Sequence, residues 1–329
     1  MTALPVQKSF VVVRDHGPSL DRLHGAVLAI GNFDGVHLGH RAVLRTAMER
    51  AHAAGKPAAA LTFEPHPRRY FQPDAPSFRL SSEAAKLRLL AATGLDGAVV
   101  LSFNKDLADL TAPRFVEEFL LSRIGVSGVV VGFNFQFGKG RQGTIDFLKT
   151  EGSRRGFSVD VVEPFELNGE RVSSGAVREA LAAGDINRAT ALLGQPWFVT
   201  AQVVHGDKRG RELGFPTANL RLGPECGLRH GIYAVRASVG GTLYEGVASF
   251  GRRPMFDNGA VLLEVFLFDF KGDLYGTVMD VALIGWIRPE MTFDSVDDLV
   301  RRMDDDVRRA KTMLGRHPGE FPTLGHIEA

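Results

Sequence analysis

The sequence feature that most constrains the fold is an apolar run that stops at a glycine-rich decapeptide. Residues 26–30 are all apolar, and they are followed at once by Gly31-Asn32-Phe33-Asp34-Gly35-Val36-His37-Leu38-Gly39-His40. This order predicts a strand, a glycine turn and the start of a helix, which together point backbone N–H groups and a positive helix end at one place. The decapeptide therefore predicts a phosphate-binding loop of the kind that holds a nucleotide.

Up to about residue 193, β-rich apolar runs alternate with segments of helical periodicity. The apolar runs are 10–13, 26–30, 57–63, 97–101 and 127–131, and the helical segments between them are 38–53, 83–92 and 115–124. Strands buried on both faces and separated by helices predict a parallel, doubly wound α/β sheet, with ligands beyond the carboxyl ends of its strands. The decapeptide occupies such an end.

The pattern changes at 193–196, where a glycine and a proline close a short helical stretch. Further β-rich runs follow at 198–204, 231–237, 243–249, 261–268 and 277–283, which predict a small antiparallel β-barrel. Ser295 and Asp298 are spaced as a helix cap, so we expect a helix from about 296 to 314 that ends at Gly315 and flanks or plugs the barrel. The predicted domains are 1–193 and 194–315, with a flexible tail over 316–329.

Composition narrows the class of partner. The 329 residues carry a formal net charge of only +1, so nothing in the charge balance favours a nucleic acid or a membrane surface, and we expect small-molecule substrates. The single cysteine, Cys226, excludes an internal disulfide framework and fits a cytoplasmic location. The oligomeric state does not follow from the sequence.

His37 and His40 lie three residues apart, so both face one side of the first helical turn. A histidine pair of this spacing alone is more often a cap or part of a core, but the neighbouring glycines favour a phosphate ligand, because they allow close backbone approach. Glu64 and His66 follow the third strand, where they could equally cap a turn. The alternating aromatic residues at 133, 135 and 137 could equally belong to the core.

Hydroxyl and charged side chains further along the chain also have two interpretations. Ser173 and Ser174 could be an N-cap or, with Arg178 one turn on, a clamp for a polyphosphate. The run 205–220 offers glycines for a phosphate-covering flap and the oxygens of Thr217 and Asn219 for Mg²⁺, although an ordinary turn has a similar composition.

One carboxylate interrupts an otherwise apolar strand. Glu264 is either functional or solvated on an outward face, because a buried carboxylate is costly unless it is paired or used. Arg252 and Arg253 are either phosphate contacts or part of a solvated turn.

Together these segments resemble the bacterial bifunctional riboflavin kinase/FMN adenylyltransferase (FAD synthetase) family, in the family's own order, from about residue 10 to residue 314. The decapeptide, 62–67, 131–141 and 171–181 resemble its adenylyltransferase part. The run 205–220, with 246–254 and 263–276, resembles its riboflavin kinase signature. The resemblance implies a Rossmann-like nucleotidyltransferase domain followed by a kinase barrel, with riboflavin, FMN and ATP as substrates and FMN and FAD as products rather than prosthetic groups.

The resemblance also implies residue roles. His37 and His40 would steady the α-phosphate during adenylyl transfer, and Glu264 would be the general base of the kinase reaction. Thr217 and Asn219 would hold Mg²⁺ together with ATP. The remaining ATP contacts would be Gly31, Phe33, Asp34, Gly39, Ser173, Ser174, Arg178, Gly210 and Gly214. The flavin contacts would be Glu64, His66, Asn134, Arg252 and Arg253.

Three positions depart from the family pattern. Asn134 stands where the family usually has Asp, Gly175 where it has Ser or Thr, and Met255 where it has Thr. These departures keep two alternatives open: a riboflavin kinase with an impaired adenylyltransferase domain, and a flavin-binding regulatory protein on the same scaffold. The decapeptide alone would also suit another nucleotidyltransferase.

Overall fold

The computed structural model describes residues 9–15, 21–75, 78–205, 215–252 and 261–328. The chain divides into two compact units. The first comprises Met1–Pro76, Glu83–Val172 and Thr323–Ala329, and the second comprises Ser77–Ser82 and Ser173–Pro322. In the part of the chain that the structure describes, no helix is both long and apolar enough to span a membrane.

A six-stranded parallel sheet forms the centre of the first unit, in the strand order β1-β4-β3-β2-β5-β6. Its strands are β1 (Val11–Arg14), β2 (Val27–Ile30), β3 (Ala58–Glu64), β4 (Gly97–Ser102), β5 (Gly128–Gly132) and β6 (Ser158–Val162). A short hairpin of β7 (Glu166–Leu167) and β8 (Glu170–Arg171) follows. The predicted parallel α/β sheet is confirmed.

Helices connect these strands. They are α1 (Leu38–Ala54), α2 (Pro67–Phe71), α3 (Glu83–Ala91), α4 (Lys105–Ala108), α5 (Ala112–Phe115) and α6 (Ile145–Arg155), with a π-helical continuation of α5 over Val116–Ile124. Leu28, Leu61 and Val129, from three adjacent strands, are completely buried in one core. A continuous apolar core on the central strands fits their near-uniform Val, Leu and Ala sequence.

The second unit contains a closed antiparallel barrel in the order β10-β13-β12-β11-β14-β9. Its strands are β9 (Phe198–Val204), β10 (Ala218–Leu222), β11 (Gly231–Val239), β12 (Thr242–Arg252), β13 (Val261–Leu267) and β14 (Val278–Arg288). Its helices are α7 (Ser174–Ala183), α8 (Ile186–Leu193) and α9 (Val296–Arg316). The predicted barrel with a flanking helix is confirmed.

Helix α9 is capped at both ends. The Ser295 hydroxyl accepts the Asp298 N–H at 3.1 Å, as the predicted cap requires. At the other end, the buried guanidinium of Arg236 donates to the carbonyls of Leu314, His317 and Glu320. A cation is favourable at a helix C-terminus, and this one carries α9 past Gly315, its predicted last residue, to Arg316.

The compact units differ from the predicted division at three places, and the first is Ser77–Ser82, which groups with the barrel. Helices α7 and α8 group with the barrel, because Arg229 donates to the Ala183 carbonyl and stacks on Trp286. The predicted tail is also ordered where it is described, since the Gly325 N–H donates to Arg88 O at 2.9 Å and the Glu328 N–H to Phe10 O at 3.1 Å. Composition alone did not reveal these backbone contacts.

Candidate active sites

The decapeptide of the first unit joins the buried strand β2 to helix α1. His37 is the N-cap of α1, and its Nδ1 accepts the backbone N–H of His40 at 3.2 Å. The two imidazole rings stack with their centroids 3.6 Å apart, and the edge of Phe33 meets His40. The structure therefore brings the two predicted catalytic histidines together at the positive end of a 17-residue helix.

The loop before α1 contains several residues with left-handed backbone conformation. Phe33 and Val36 have φ of 50° and 44°, and Gly35 has φ of 81°, all in the left-handed region. Phe33 and Asp34 are buried, with exposed fractions of 1% and 3%. At Gly39 a Cβ would lie 3.2 Å from the His37 ring and 3.3 Å from Val172 O, which explains the glycine at this position.

A buried ion pair lies under the loop. Lys86 of α3 is 1% exposed, and its Nζ is 2.7 Å from Glu64 Oε1 and 3.0 Å from Thr62 Oγ1. The Thr62 hydroxyl in turn donates to Asn32 O at 3.2 Å. Sequence reasoning missed Lys86, although its place one turn before the buried Leu90 was a signal, since a lysine on an apolar helix face needs a partner.

Other charged and polar side chains surround the loop. Arg41, on α1, donates to Val36 O at 3.2 Å, and its partial burial lowers the pKa of the guanidinium from its ordinary value. The Nδ1 atom of His66 accepts the Arg68 N–H, so His66 caps α2. Asn134 is exposed after β5, and the neighbouring Phe133 ring carries the Arg171 guanidinium 4.5 Å from its centroid.

The remaining predicted ATP ligands belong to the second unit. Ser173 is the N-cap of α7, with its Oγ accepting the Ala176 N–H at 3.1 Å, and Ser174 is the first residue of that helix. Arg178, one turn on, donates through Nε to Phe78 O. A Cβ on Gly175 would meet ordinary contact at 3.5 Å from Ser173 Oγ, so the backbone leaves room for the usual family side chain there.

A row of polar side chains crosses the barrel. Glu264 of β13 is directly opposite Asn219 of β10 and Ser249 of β12. Directly opposite residues of antiparallel strands share one face, with Cβ atoms about 5 Å apart. Leu263 and Val265 are buried on the opposite face, so the row lies on the outer side of the barrel wall. The structure thus brings together the predicted kinase base and a predicted Mg²⁺ ligand.

Glu264 is half-buried and lines a cavity of about 210 Å³. Thr217, Ser249 and Phe266 contribute to the barrel side of this cavity, and Met303 of α9 to the other side. A carboxylate in this position is neither a core residue nor a fully solvated one, so it is suited to take a proton from a bound hydroxyl.

Two lining residues of this cavity were not predicted. Arg288 of β14 and Asp306 of α9 are 6% and 3% exposed, and they form a bidentate pair, with Nη2 2.6 Å from Oδ2 and Nε 2.8 Å from Oδ1. The pair fixes α9 as the far wall of the cavity. Asp306, Ala310 and Leu314 are spaced by four and share the buried face of α9. This spacing was the sequence signal that Asp306 is buried and needs a partner.

The predicted Mg²⁺ ligands fit a hard cation. Asn219 is 5% exposed, and its Oδ1 has no hydrogen-bond partner among the described residues. Within the described ranges there is no cluster of three or more His, Cys, Asp or Glu side chains that could hold a metal. Thr217 and Asn219 offer neutral oxygens, and the carboxylate residue Glu264 lies directly opposite Asn219. Such a set suits Mg²⁺ that arrives with substrate phosphates.

Several predicted residues lie outside the described part of the chain. These are Gly210, Gly214, Arg253 and Met255, together with the side chain of Arg252, whose backbone ends β12.

Two family models match the chain, one over each candidate site. The FAD synthetase model matches residues 20–176 and the riboflavin kinase model matches residues 193–314. The phosphate loop falls in the first range and Glu264 in the second.

Full-length relatives match as well. A protein of Haemophilus influenzae named bifunctional riboflavin kinase/FMN adenylyltransferase is 40% identical over 293 residues, which cover 89% of this chain and 95% of the relative. The Escherichia coli (strain K12) protein of the same name is 39% identical over 91% of this chain and 96% of its own length. A crystal structure from Streptococcus pneumoniae, described as a macrolide-efflux protein, is 30% identical with a TM-score of 0.81, covering 92% of this chain and 99% of its own.

Proposed function

The chain belongs to the bifunctional riboflavin kinase/FMN adenylyltransferase family, and from this premise we propose that it makes FAD in two steps. In the first step, it phosphorylates riboflavin to FMN with ATP. In the second, it transfers AMP from a second ATP to FMN, which gives FAD and pyrophosphate. The boundary between the two activities is at 193/194, and the reactions take place in the cytoplasm, which suits the lone thiol of Cys226.

The observation that carries this proposal is that the similarity to bifunctional relatives extends over almost their whole length and includes both candidate sites. A kinase with an impaired first domain would have no need of the intact phosphate loop, with its stacked His37 and His40. A regulatory flavin-binding protein would have no need of Glu264 beside the cavity. Both alternatives are therefore less well supported.

In the adenylyl-transfer step, a phosphate oxygen of FMN attacks the α-phosphorus of ATP and the bond to pyrophosphate breaks. Charge builds up on the α-phosphoryl oxygens, so positioned donors stabilise the transition state. Because Nδ1 of His37 accepts the His40 N–H, the proton of its neutral ring is on Nε2, which donates to the phosphate together with His40. Gly31 and Gly39 fit closely against the Phe33 ring and the His37 ring, so they contribute through the packing of the loop, as do the buried residues Phe33 and Asp34.

The other ligands of this step have supporting roles. The resemblance assigns the hydroxyls of Ser173 and Ser174 and the guanidinium of Arg178 to the β- and γ-phosphates of ATP. His66 and Asn134 contact the flavin, and the amide of Asn134 replaces the carboxylate that is usual there by a hydrogen bond.

In the kinase step, the ribityl 5′-hydroxyl attacks the γ-phosphorus of ATP and ADP leaves. Glu264 accepts the hydroxyl proton as that oxygen forms its new bond. The resemblance assigns Gly210 and Gly214 to the ATP phosphates, and Arg252 and Arg253 to the flavin. Thr217 and Asn219 would hold Mg²⁺, which would supply positive charge against the phosphates, and the buried Oδ1 of Asn219 is a suitable ligand atom.

The test is to incubate the protein with riboflavin, ATP and Mg²⁺ and to separate the flavins by chromatography. We expect FMN to form first and FAD to follow. The absence of any FMN would overturn the kinase assignment, and FMN that accumulates without FAD would overturn the adenylyltransferase assignment.

A further inference from the structure

The buried lysine beneath the phosphate loop is not explained by the chemistry assigned above. Lys86 is 1% exposed, and its charge is compensated at 2.7 Å by Glu64, whose side chain is 10% exposed. A neutralised, buried ammonium has little net attraction to offer a phosphate. The role of Lys86 therefore follows from the groups to which its ammonium donates hydrogen bonds.

The hydrogen bonds of Lys86 converge on the turn that precedes α1. Nζ donates to Thr62 Oγ1 at 3.0 Å and lies 3.4 Å from Asn32 O and from Phe63 O. Because the Thr62 hydroxyl accepts from Lys86, its own proton is directed to Asn32 O, 3.2 Å away. The carbonyl of Asn32, the second residue of the phosphate loop, is therefore held both through Thr62 and by the ammonium.

These contacts matter because Asn32 immediately precedes the left-handed turn of the loop. Of the four residues between Asn32 and the His37 cap, three have left-handed φ: Phe33, Gly35 and Val36. A turn of this kind persists only when its surroundings determine it. Glu64 closes the network at the end of β3, immediately before the segment that contains His66.

We propose that Lys86, with Glu64 as its counterion, is a positioning residue of the adenylyl-transfer site that fixes the phosphate-loop turn through Asn32 and Thr62. The proposal rests on the proposed function, and it assigns Glu64 to loop positioning instead of flavin contact. A misplaced loop weakens transition-state contacts, so its loss appears in kcat more than in KM.

The experiment compares Lys86→Met, Glu64→Gln and the double variant Lys86→Met/Glu64→Gln in the full chain. We expect each single variant to lower kcat for FMN adenylylation about 10²-fold with KM for FMN within about threefold. The double variant should lose no more than the worse single, because the two residues act as a unit. It also removes the whole charge pair, so that a lone buried charge does not prevent folding. Riboflavin kinase activity of the same molecules should be unchanged.

The matched control is Leu148→Ala, which opens a cavity at a completely buried core position of the same unit. Rates are measured per folded molecule, at a temperature where every variant is folded. Hydrogen–deuterium exchange of the peptide covering 31–40 is measured in parallel. We expect faster exchange, by about tenfold, in the Lys86 variants and no change in Leu148→Ala.

Three results would overturn the proposal: unchanged exchange and kcat in the Lys86 variants, the same losses in Leu148→Ala, or a rise in KM for FMN confined to the Glu64 variants. If the unsubstituted protein makes no FAD, the proposed function fails, and the exchange measurement still decides whether Lys86 positions the loop.

Discussion

The two candidate sites are built in opposite ways. The phosphate loop is assembled from ten consecutive residues, and its shape comes from a strand end, a turn and a helix cap at His37. The kinase site is assembled from β10, β12, β13, β14 and α9, so Glu264 and Asp306 reach one cavity only when the barrel closes. The local site therefore depends on the contacts that fix one turn, and the non-local site depends on the contacts that fix α9 against the barrel.

The largest expected effect separates the two chemistries. Replacing Glu264 by Gln keeps the shape of the side chain but removes the proton acceptor, so FMN formation should fall about 10²- to 10⁴-fold. Adenylylation of added FMN serves as the internal control and should be unchanged. Equal loss of both activities in a folded protein would show that the sites are not separate in the way described.

The next effect tests the wall of the non-local site. Asp306→Ala leaves Arg288 buried without its carboxylate, which should destabilise the second unit by about 3–5 kcal/mol. The double variant Arg288→Met/Asp306→Leu is the control and should recover most of that loss. The measurement is the thermal inactivation midpoint of each activity. The kinase midpoint should fall more, and a double variant as unstable as Asp306→Ala would contradict the role of the pair.

Removing one donor from the local site should lower the adenylylation rate slightly less than the Glu264 substitution lowers the kinase rate. His40→Ala should lower FMN adenylylation about 10²- to 10³-fold, the usual loss when one preorganised donor is removed from a transition state. Its backbone N–H to His37 remains, so the cap of α1 is retained. Steady-state rates with FMN and ATP check this, with kinase activity as control. A kinase loss of similar size would mean that the loop serves both reactions.

A Mg²⁺ titration distinguishes the metal requirement of the kinase reaction from that of adenylylation. Asn219→Ala removes the buried Oδ1 atom, so the Mg²⁺ concentration for half-maximal kinase activity should rise about 10- to 100-fold. The Mg²⁺ requirement of adenylylation should not move. An unchanged kinase titration would exclude Asn219 as a ligand.

The smallest effect concerns Asn134 and Gly175, the two family departures among the residues of the adenylyltransferase resemblance. Asn134→Asp should change adenylylation less than about tenfold, because Asn134 is exposed and a single hydrogen bond contributes about 1 kcal/mol. Gly175→Ser is a matched variant, since the backbone leaves room for its Cβ. A gain of more than a hundredfold in either variant would mean that the departures impair the natural activity.

Most of the first unit could be predicted from sequence, because its strands are continuous apolar runs. Predicted and observed bounds of β2 to β5 agree within one or two residues. The missed elements carry weaker patterns: β6 is only partly buried, and β10 is a short strand directly after a run of glycine, proline and polar residues. Short-range periodicity does not identify a strand whose burial depends on barrel closure.

The site residues divide in the same way. The histidines and glycines of the loop could be predicted because their geometry is local. Lys86 and Asp306 could not, because each becomes necessary only through a partner far away in sequence, Glu64 for one and Arg288 for the other. Both residues lie on otherwise apolar helix faces. A charged residue on such a face is a sequence signal that predicts a buried partner of opposite charge elsewhere in the chain.

The hydrogen bond from Glu328 to Phe10 has a practical consequence for engineering. Because these two residues are neighbours in space, and Glu328 also pairs with Arg22, the first and last described stretches of the chain meet on one side of the same unit. The closeness of these two described stretches favours circular permutation. A short linker across this junction would allow new termini to be opened in an exposed turn, such as Gly240-Gly241 between β11 and β12, which would divide the barrel strands between the two ends of the permuted chain.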